Sequence, residues 1–282
     1  MPRHSFIVVL LIGCGGSSTA TDPAPDAAVG CELAAHTTTT TTVNGGCAVL
    51  ERDTSSCEQA RRALGLDGWW LKFSCRVTIT KPTATQIALV SDDQPDHGSN
   101  YFADTNVCHV DYQPAANNPN MIGIKSMKMT VAITPTVGGR TMGLGTIGFA
   151  VNGVALFNNM AARGDDIYLE SKSFDQCQGH PTGSSAYHYH SEPYSITYDD
   201  ASFVGVLMDG FPVYGRRDAD GSMPVLDIFG GHTSATPDST TPVYHHHVNL
   251  QTSTTPGSAG QSVWFIATGT YAAFPGTCEG CL

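Results

Sequence analysis

Between Ile124 and Ile133 the apolar residues Met127, Met129, Val131 and Ile133 alternate with Lys128, Thr130 and Ala132. A period of two sends one set to a core face and the other outward, which predicts a half-buried strand. Further short apolar or alternating runs predict strands at Phe73 to Thr80, Gln86 to Val90, Val151 to Phe157, Ala186 to His190, Phe203 to Met208, Val243 to Leu250 and Ser262 to Thr268. Helix is expected to be the minor element. Its first candidate begins at Ser55, which has capping-box spacing to Glu58, and ends at Gly65; it reads as a short appendage. Many short strands between Gly, Pro, Asn and Asp turns imply a mainly β protein, a β-sandwich-like or related all-β domain whose long irregular loops carry function. No fixed-period repeat is legible.

Composition agrees with this pattern. The 282 residues include 30 glycines and 16 prolines, too many for a bundle of long helices, and only 14% are charged, which argues against a disordered polyelectrolyte. Lys and Arg number 14 against 25 Asp and Glu, a formal charge of -11 with no basic block, so nucleic-acid phosphates are poor partners. Gly143-Leu-Gly-Thr-Ile-Gly148 has the letters of a dinucleotide fingerprint without its βαβ context, and strand turns explain its glycines better.

The amino terminus points to export. After Arg3 comes the apolar run Phe6 to Ile12, too short to remain as a membrane-spanning helix. Leu11-Ile12-Gly13-Cys14 resembles the processing box of a bacterial lipoprotein. That resemblance implies a signal peptide over 1–13, a lipid on Cys14 that anchors the chain to the membrane, and a place in the bacterial cell envelope, at the outer membrane or cell surface. A conventional secretory leader cut further downstream is the alternative, and both imply export. Residues 14–46, with Thr37 to Thr42 uninterrupted, read as a flexible linker in which His36 has no ligand role. The folded body is expected over 47–282. Setting Cys14 aside, eight cysteines remain, an even set that suggests up to four disulfides in an exported protein. Cys278-Glu-Gly-Cys281 has the spacing of a redox or metal motif, but without a second pair it reads first as a staple.

Seven of the eleven histidines lie between His180 and His247. In an extended strand His188 and His190 share one face, with Tyr187 and Tyr189 on the other; the same parity joins His245 to His247 and turns His246 away. Two such strands side by side would gather four imidazoles, with His180 or His232 closing the site from a turn. A nitrogen-rich set of this kind suits a transition metal, copper or zinc foremost. The competing reading is a set of imidazoles hydrogen-bonded in a polar core or exposed on strands. His97 belongs to neither pair, and His109 would join only if its loop folds close by. Asp209 follows an apolar strand and could be a ligand, an acceptor for an imidazole N–H or a general base, or else the first residue of an Asp-Gly turn. Tyr214 would supply a hydrogen bond or simply pack.

Several of these segments occur together in a known family. Asn152-Gly-Val-Ala-Leu-Phe-Asn158, the Gly179-His180-Pro turn, Tyr187-His-Tyr-His190, Leu207-Met-Asp-Gly-Phe-Pro-Val-Tyr-Gly215 and Tyr244-His245 give residues 143–247 a pattern that resembles the YHYH-domain family of secreted bacterial and eukaryotic proteins. Two departures stand out. The family's second tyrosine–histidine segment alternates more tyrosines than Tyr244-His-His-His247, and its cysteine-bearing stretch near Asp227 here reads Leu-Asp-Ile-Phe-Gly-Gly-His232, which removes one disulfide position.

These residues support an exported, transition-metal-binding YHYH module. The expected metal ligands are His180, His188, His190, His232, His245 and His247, with Asp209 and Tyr214 as candidate catalytic groups. A metal at His188, His190 and His245 with one open position would activate water for hydrolysis, with Asp209 orienting or deprotonating that water; copper would instead support redox chemistry. Whether the protein is an enzyme stays open at this level. The absence of HExxH and GxSxG removes the zincin and α/β-hydrolase templates. A polar cleft that binds a small molecule or polysaccharide without catalysis, or a structural surface role, are the rival readings.

Overall fold

In the computed structural model of the protein, residues 46–162, 165–267 and 269–282 are described; the leader, Cys14, Cys31, His36 and nearly all of the expected linker lie outside them. Helix α1 (Glu58–Ala63) forms inside the expected stretch but starts at an N-cap of Cys57, with no side-chain cap. The capping box is not used, because the Ser55 hydroxyl turns to Asp53 Oδ1 at 3.0 Å. Nor is the helix an appendage. Arg61 is buried and its guanidinium donates to the carbonyls of Phe73, Ser74 and Val77, while a Cys57–Cys75 disulfide ties the helix start to the same segment.

Strands β1 (Thr78–Thr83), β2 (Gln86–Ser91) and β3 (Met127–Ala132) form an antiparallel meander. Met127, Met129 and Val131 are buried and Lys128 is exposed, as the alternation predicts. The sheet gains a fourth strand beside β3 from a segment near the carboxyl end, Thr277–Glu279 (β16). β4 (Val137–Thr141) pairs with Thr270–Ala273 (β15) in a two-stranded ribbon.

The larger sheet has eight strands: β5 (Thr146–Ala150), β6 (Ala155–Phe157), β7 (Gly179–Pro181), β8 (Tyr187–Tyr189), β9 (Phe203–Leu207), β10 (Pro212–Tyr214), β11 (Gly231–Thr236) and β12 (Ser239–His247). A short helix, α2 (Ile167–Glu170), sits in the β6–β7 connection, capped by the Asp166 side chain. β13 (Asn249–Thr252) and β14 (Ser262–Phe265) form a second ribbon. One apolar core takes Ile87, Leu89, Met127 and Met129 from the four-stranded sheet and Phe149, Leu156, Val206 and Val213 from the eight-stranded one. The protein is thus mainly β and sandwich-like, with long irregular connections. Strands β7 and β10 escaped the pattern because three residues containing Pro or Gly show no period; β5 begins inside the glycine-rich run at Gly143.

The eight-stranded sheet contains an internal duplication. Its order is β11-β12-β10-β9-β5-β6-β8-β7, so the sequence of strands from the centre outward is the same in both halves. β5 and β6 are antiparallel, as are β9 and β10; β6 runs parallel to β8, as β10 does to β12; and both edge strands, β7 and β11, are antiparallel to their neighbours. The two halves meet through the antiparallel β5–β9 pair. Local details repeat too. Asp175 Oδ1 accepts from the N–H groups of Cys177 and Gly179, and Asp227 Oδ1 from those of Phe229 and Gly231. Asp175 also binds the Tyr187 hydroxyl, and Asp227 that of Tyr244. Gly179 and Gly231 are required at these turns, since a Cβ would come within 2.4 Å of the Tyr187 ring in one and 2.6 Å of the Tyr244 hydroxyl in the other. This duplication agrees with the absence of a fixed-period repeat in the sequence. Two copies with loops of unequal length have no fixed period, and few side chains outside the turns and the Tyr-His-X-His strands are shared.

Cys47–Cys177, Cys57–Cys75 and Cys278–Cys281 are disulfides, a covalent pattern that belongs to exported proteins. Among the described residues no helix is long and apolar enough to cross a membrane.

Candidate functional site

The expected histidines assemble as two groups, not one. On β7 and β8, His180 lies opposite His188 in the antiparallel register, and His190 follows on the same face of the chain. On β11 and β12, His232 lies opposite His245, with His247 two residues on. Each group is the counterpart of the other in the duplicated sheet. Between β8 and β12 stand β6, β5, β9 and β10. Five strand spacings amount to roughly 24 Å, so a single site built from His188, His190 and His245 is ruled out. Local parity was right, but which strand became the neighbour was decided by the sheet order.

In the first group the donor atoms of His180, His188 and His190 all lie within 4.8 Å of one another, and all three residues are buried. Hydrogen bonding fixes how each ring points. His190 Nδ1 donates to the Asn158 carbonyl at 2.5 Å, and His188 Nδ1 faces the Ala186 carbonyl at 3.4 Å. The Ser173 hydroxyl donates to the Glu170 carbonyl at 2.8 Å, so Ser173 Oγ receives the N–H of His180 Nδ1, also at 2.8 Å. With every Nδ1 committed as donor, every Nε2 carries a lone pair. His188 Nε2 and His190 Nε2 face each other at 3.1 Å, and His180 Nε2 is buried with no hydrogen-bond partner. Burial keeps the rings neutral: it pushes His180 down to about 3, with the neighbouring His190 adding to the effect, and His190 down to about 4 against the pull of the Asn158 carbonyl. His188 is lowered well below the usual histidine range, by burial first and then by His180 and His190. Phe157 stacks on His188 with centroids 4.0 Å apart, and Phe174 lies parallel to His190 at 5.9 Å.

The second group adds a carboxylate. Asp218 Oδ1 lies 3.0 Å from His232 Nε2, 3.5 Å from His247 Nε2 and 3.8 Å from His245 Nε2, and the four side chains form one set. His245 Nδ1 donates to the Val243 carbonyl at 2.9 Å and His247 Nδ1 to the Gly215 carbonyl at 2.7 Å, which turns both Nε2 atoms toward Asp218. Burial lowers His245, and lowers His247 to about 4. These contacts repeat the first group, where Ala186 and Asn158 hold the equivalent nitrogens. Asp218 was missed from sequence because an acid in the Arg217-Asp218-Ala-Asp220 loop is unremarkable without the histidines that the fold brings beside it. Glu170, whose Oε1 lies 3.4 Å from His180 Nε2, was missed for the same reason.

Neither candidate catalytic group belongs to these clusters. Asp209 is fully buried at the Asp-Gly turn, where Oδ1 accepts the Phe211 N–H and Oδ2 accepts from His246 Nε2 at 3.0 Å. It takes the turn and imidazole-acceptor roles, not that of a base on a metal-bound water. Tyr214 is buried beside the second cluster, its ring 5.3 Å from that of His245 and nearly perpendicular. Its hydroxyl donates to Thr236 Oγ1 or Asp238 Oδ2, at 3.2 and 3.1 Å, so its place is that of a packing and hydrogen-bonding residue. His97 bonds the Tyr189 hydroxyl at 2.7 Å and His109 the Phe102 carbonyl at 2.8 Å; both stay outside the two groups. The two donor sets could each hold a metal ion.

The first cluster opens onto a cleft of about 590 Å³ bounded by Asn118, Asn120, Leu144, Met160, Leu169 and Glu170. No curated protein and no solved structure matches the chain. One family model does, over residues 128–225: it takes in His180, His188, His190 and Asp218 and stops short of His232, His245 and His247, whereas the sequence resemblance ran from 143 to 247. With the Tyr187-His-Tyr-His190 strand set in the sheet and its histidines gathered on one side, residues 128–225 of this chain match the family described as YHYH protein.

Proposed function

We propose that this protein is an exported metal-binding module with two transition-metal sites, one at His180, His188 and His190 and the other at Asp218, His232, His245 and His247. The observation that carries this reading is the His188–His190 pair: two Nε2 lone pairs face each other at 3.1 Å while both Nδ1 atoms are turned to carbonyls. Two neutral acceptors in that arrangement repel, and a cation between them removes the repulsion. Two nitrogens at the usual zinc distance on a tetrahedral ion would stand about 3.3–3.4 Å apart. The 3.1 Å here and the 3.3 Å between His232 and His247 Nε2 are close to that spacing. Imidazole-dominated sets suit zinc or copper.

Cys14 is the proposed lipid attachment point, which would hold the module at the bacterial envelope with residues 14–46 as tether. Labelled palmitate incorporated by the expressed protein and lost in C14S would support the anchor; equal labelling of C14S would remove it. A small uncharged molecule is the proposed partner of the cleft.

Metal analysis tests the central reading. Protein exported, purified and reconstituted with zinc or copper is expected to hold two ions per chain, falling to one in H188A/H190A and to one in H245A/H247A. Failure to retain stoichiometric metal, or retention of both ions after either double substitution, overturns the assignment. A metal-free protein that still binds polysaccharide would favour the carbohydrate-binding alternative.

A further inference from the structure

The duplicated sites share their histidines but differ in what the intervening loop delivers. In the second half the connection between β10 and β11 brings Asp218 Oδ1 to within 3.8 Å of all three Nε2 atoms, so the set has four donors. In the first half the equivalent connection contains α2 and brings Glu170. Its Oε1 is 3.4 Å from His180 Nε2, yet it falls outside the group whose donor atoms lie within 4.8 Å of one another. Three nitrogens converge there, the fourth direction is left to the cleft, and a carboxylate stands at its side.

Three imidazoles and an open position define a metal that handles a ligand, whereas four protein donors define one that holds structure. We propose that the two sites have divided these roles: Asp218 completes a structural centre, while the His180/His188/His190 centre keeps its fourth position for water and Glu170 accepts that water's proton. This rests on the metal-binding reading above.

The described cleft lining contains no Lys or Arg, and it includes Asp165, Asp166 and Glu170. Anionic substrates are disfavoured by that field, while Asn120, held by Asn118, can offer its Oδ1 to an uncharged polar group and Leu144, Met160 and Leu169 cover an apolar one. The substrate class that fits is an uncharged ester. The metal-bound water passes one proton to the Glu170 carboxylate. The resulting hydroxide forms a bond to the carbonyl carbon as the carbonyl electron pair moves onto oxygen. Collapse of that adduct breaks the bond to the alkoxide, which takes the proton from Glu170, so ester and water become acid and alcohol.

The test uses the full exported chain loaded with cobalt(II), with azide as probe ligand and para-nitrophenyl acetate as substrate. In the wild type one of the two cobalt ions is expected to change its visible spectrum with azide. H188A/H190A should keep one cobalt, lose the azide response and lose hydrolysis. E170Q should keep two cobalt ions and the azide response while kcat/KM falls by about 100-fold, as removal of a proton acceptor does. The acetate ester should be preferred over the anionic para-nitrophenyl succinate by roughly tenfold, about 1.4 kcal/mol. Azide acting on both cobalt ions or on neither overturns the division of roles alone, as does loss of a cobalt ion in E170Q, which would make Glu170 a ligand. Absence of cobalt in every form removes the metal reading and this proposal with it. Should H188A/H190A fail to fold, the wild-type azide titration and E170Q decide.

Discussion

Asp209 Oδ2 and His246 Nε2 form a buried hydrogen bond of 3.0 Å on the side of β12 turned away from His245 and His247. The other ring nitrogen of His246 faces the Phe229 carbonyl at 3.2 Å, so both nitrogens are committed to oxygen and neither remains for a metal. In the first half the equivalent residues, Asn152 and Tyr189, are also hydrogen-bonded, at 3.3 Å. The pair belongs to the fold.

H246A is therefore expected to cost about 1–3 kcal/mol in urea unfolding, by leaving part of the Asp209 carboxylate unpaired, with no change in bound metal per folded chain. D209A should cost about 3 kcal/mol or more, because it strands the His246 ring and the N–H groups of Phe211 and Ala272 together. Loss of one metal ion from folded H246A would contradict this assignment.

Removing metal should lower the melting temperature in a concentration-dependent way. A site filled by ligand at about 100 times its dissociation constant contributes about 2.7 kcal/mol to the folded state. For a chain of this size each kcal/mol corresponds to about 2–4 °C. Calorimetry with and without a chelator should show two such contributions, and H245A/H247A should show one. A melting temperature indifferent to chelation would count against both sites.

Arg52 and Asp96 set a pH dependence. Burial alone would raise the Asp96 carboxyl, but Arg52, with Nε 2.5 Å from Oδ2, outweighs it with help from Asn152, and the net shift is below the ordinary value of 3.8. A lowered folded-state value means that the stabilisation is complete above that ordinary value and is lost as pH falls through the lowered one. R52M should cost about 3–5 kcal/mol at neutral pH by stranding a buried carboxylate. The difference from wild type should shrink as pH falls below the ordinary value of 3.8 and through the lowered one, where Asp96 is protonated in both proteins. Urea midpoints across that range measure it; a cost that grows in acid would refute the coupling.

The disulfides should contribute in order of the loops they close. Cys47 and Cys177 are 130 positions apart, and Cys57 and Cys75 are 18 apart. Loop-closure entropy assigns about 5 kcal/mol to the first and about 3 kcal/mol to the second. Denaturation of the paired Cys-to-Ser variants checks the order. Equal losses would show that the unfolded chain is already restricted around Cys47.

Much of the site was legible in fragments. Histidines at alternate positions of β8 and β12 share a face because side chains alternate in any extended strand, and the placing of His246 on the opposite face follows from the same rule. The four-donor character of the second site was not legible, since Asp218 comes from a loop whose path depends on β10 lying beside β12. Nor was the separation of the two clusters. The strand patterns allow β8 and β12 to be neighbours as readily as they allow the observed order.

The duplication marks the boundary between the two kinds of information. Asp175 to Gly179-His180 and Asp227 to Gly231-His232 have the same spacing, and Tyr187-His-Tyr-His190 matches Tyr244-His-His-His247, so each histidine half-motif is written in the chain. Period, parity and turn chemistry are local consequences of backbone geometry, and the sequence by itself determined them. Which strands paired is a non-local outcome: the β5–β9 contact joins the halves back to back and sends the two histidine strands to opposite ends of one sheet. The tertiary structure alone decided that this chain would carry two histidine centres, one beside Asp218 and the other facing a cleft.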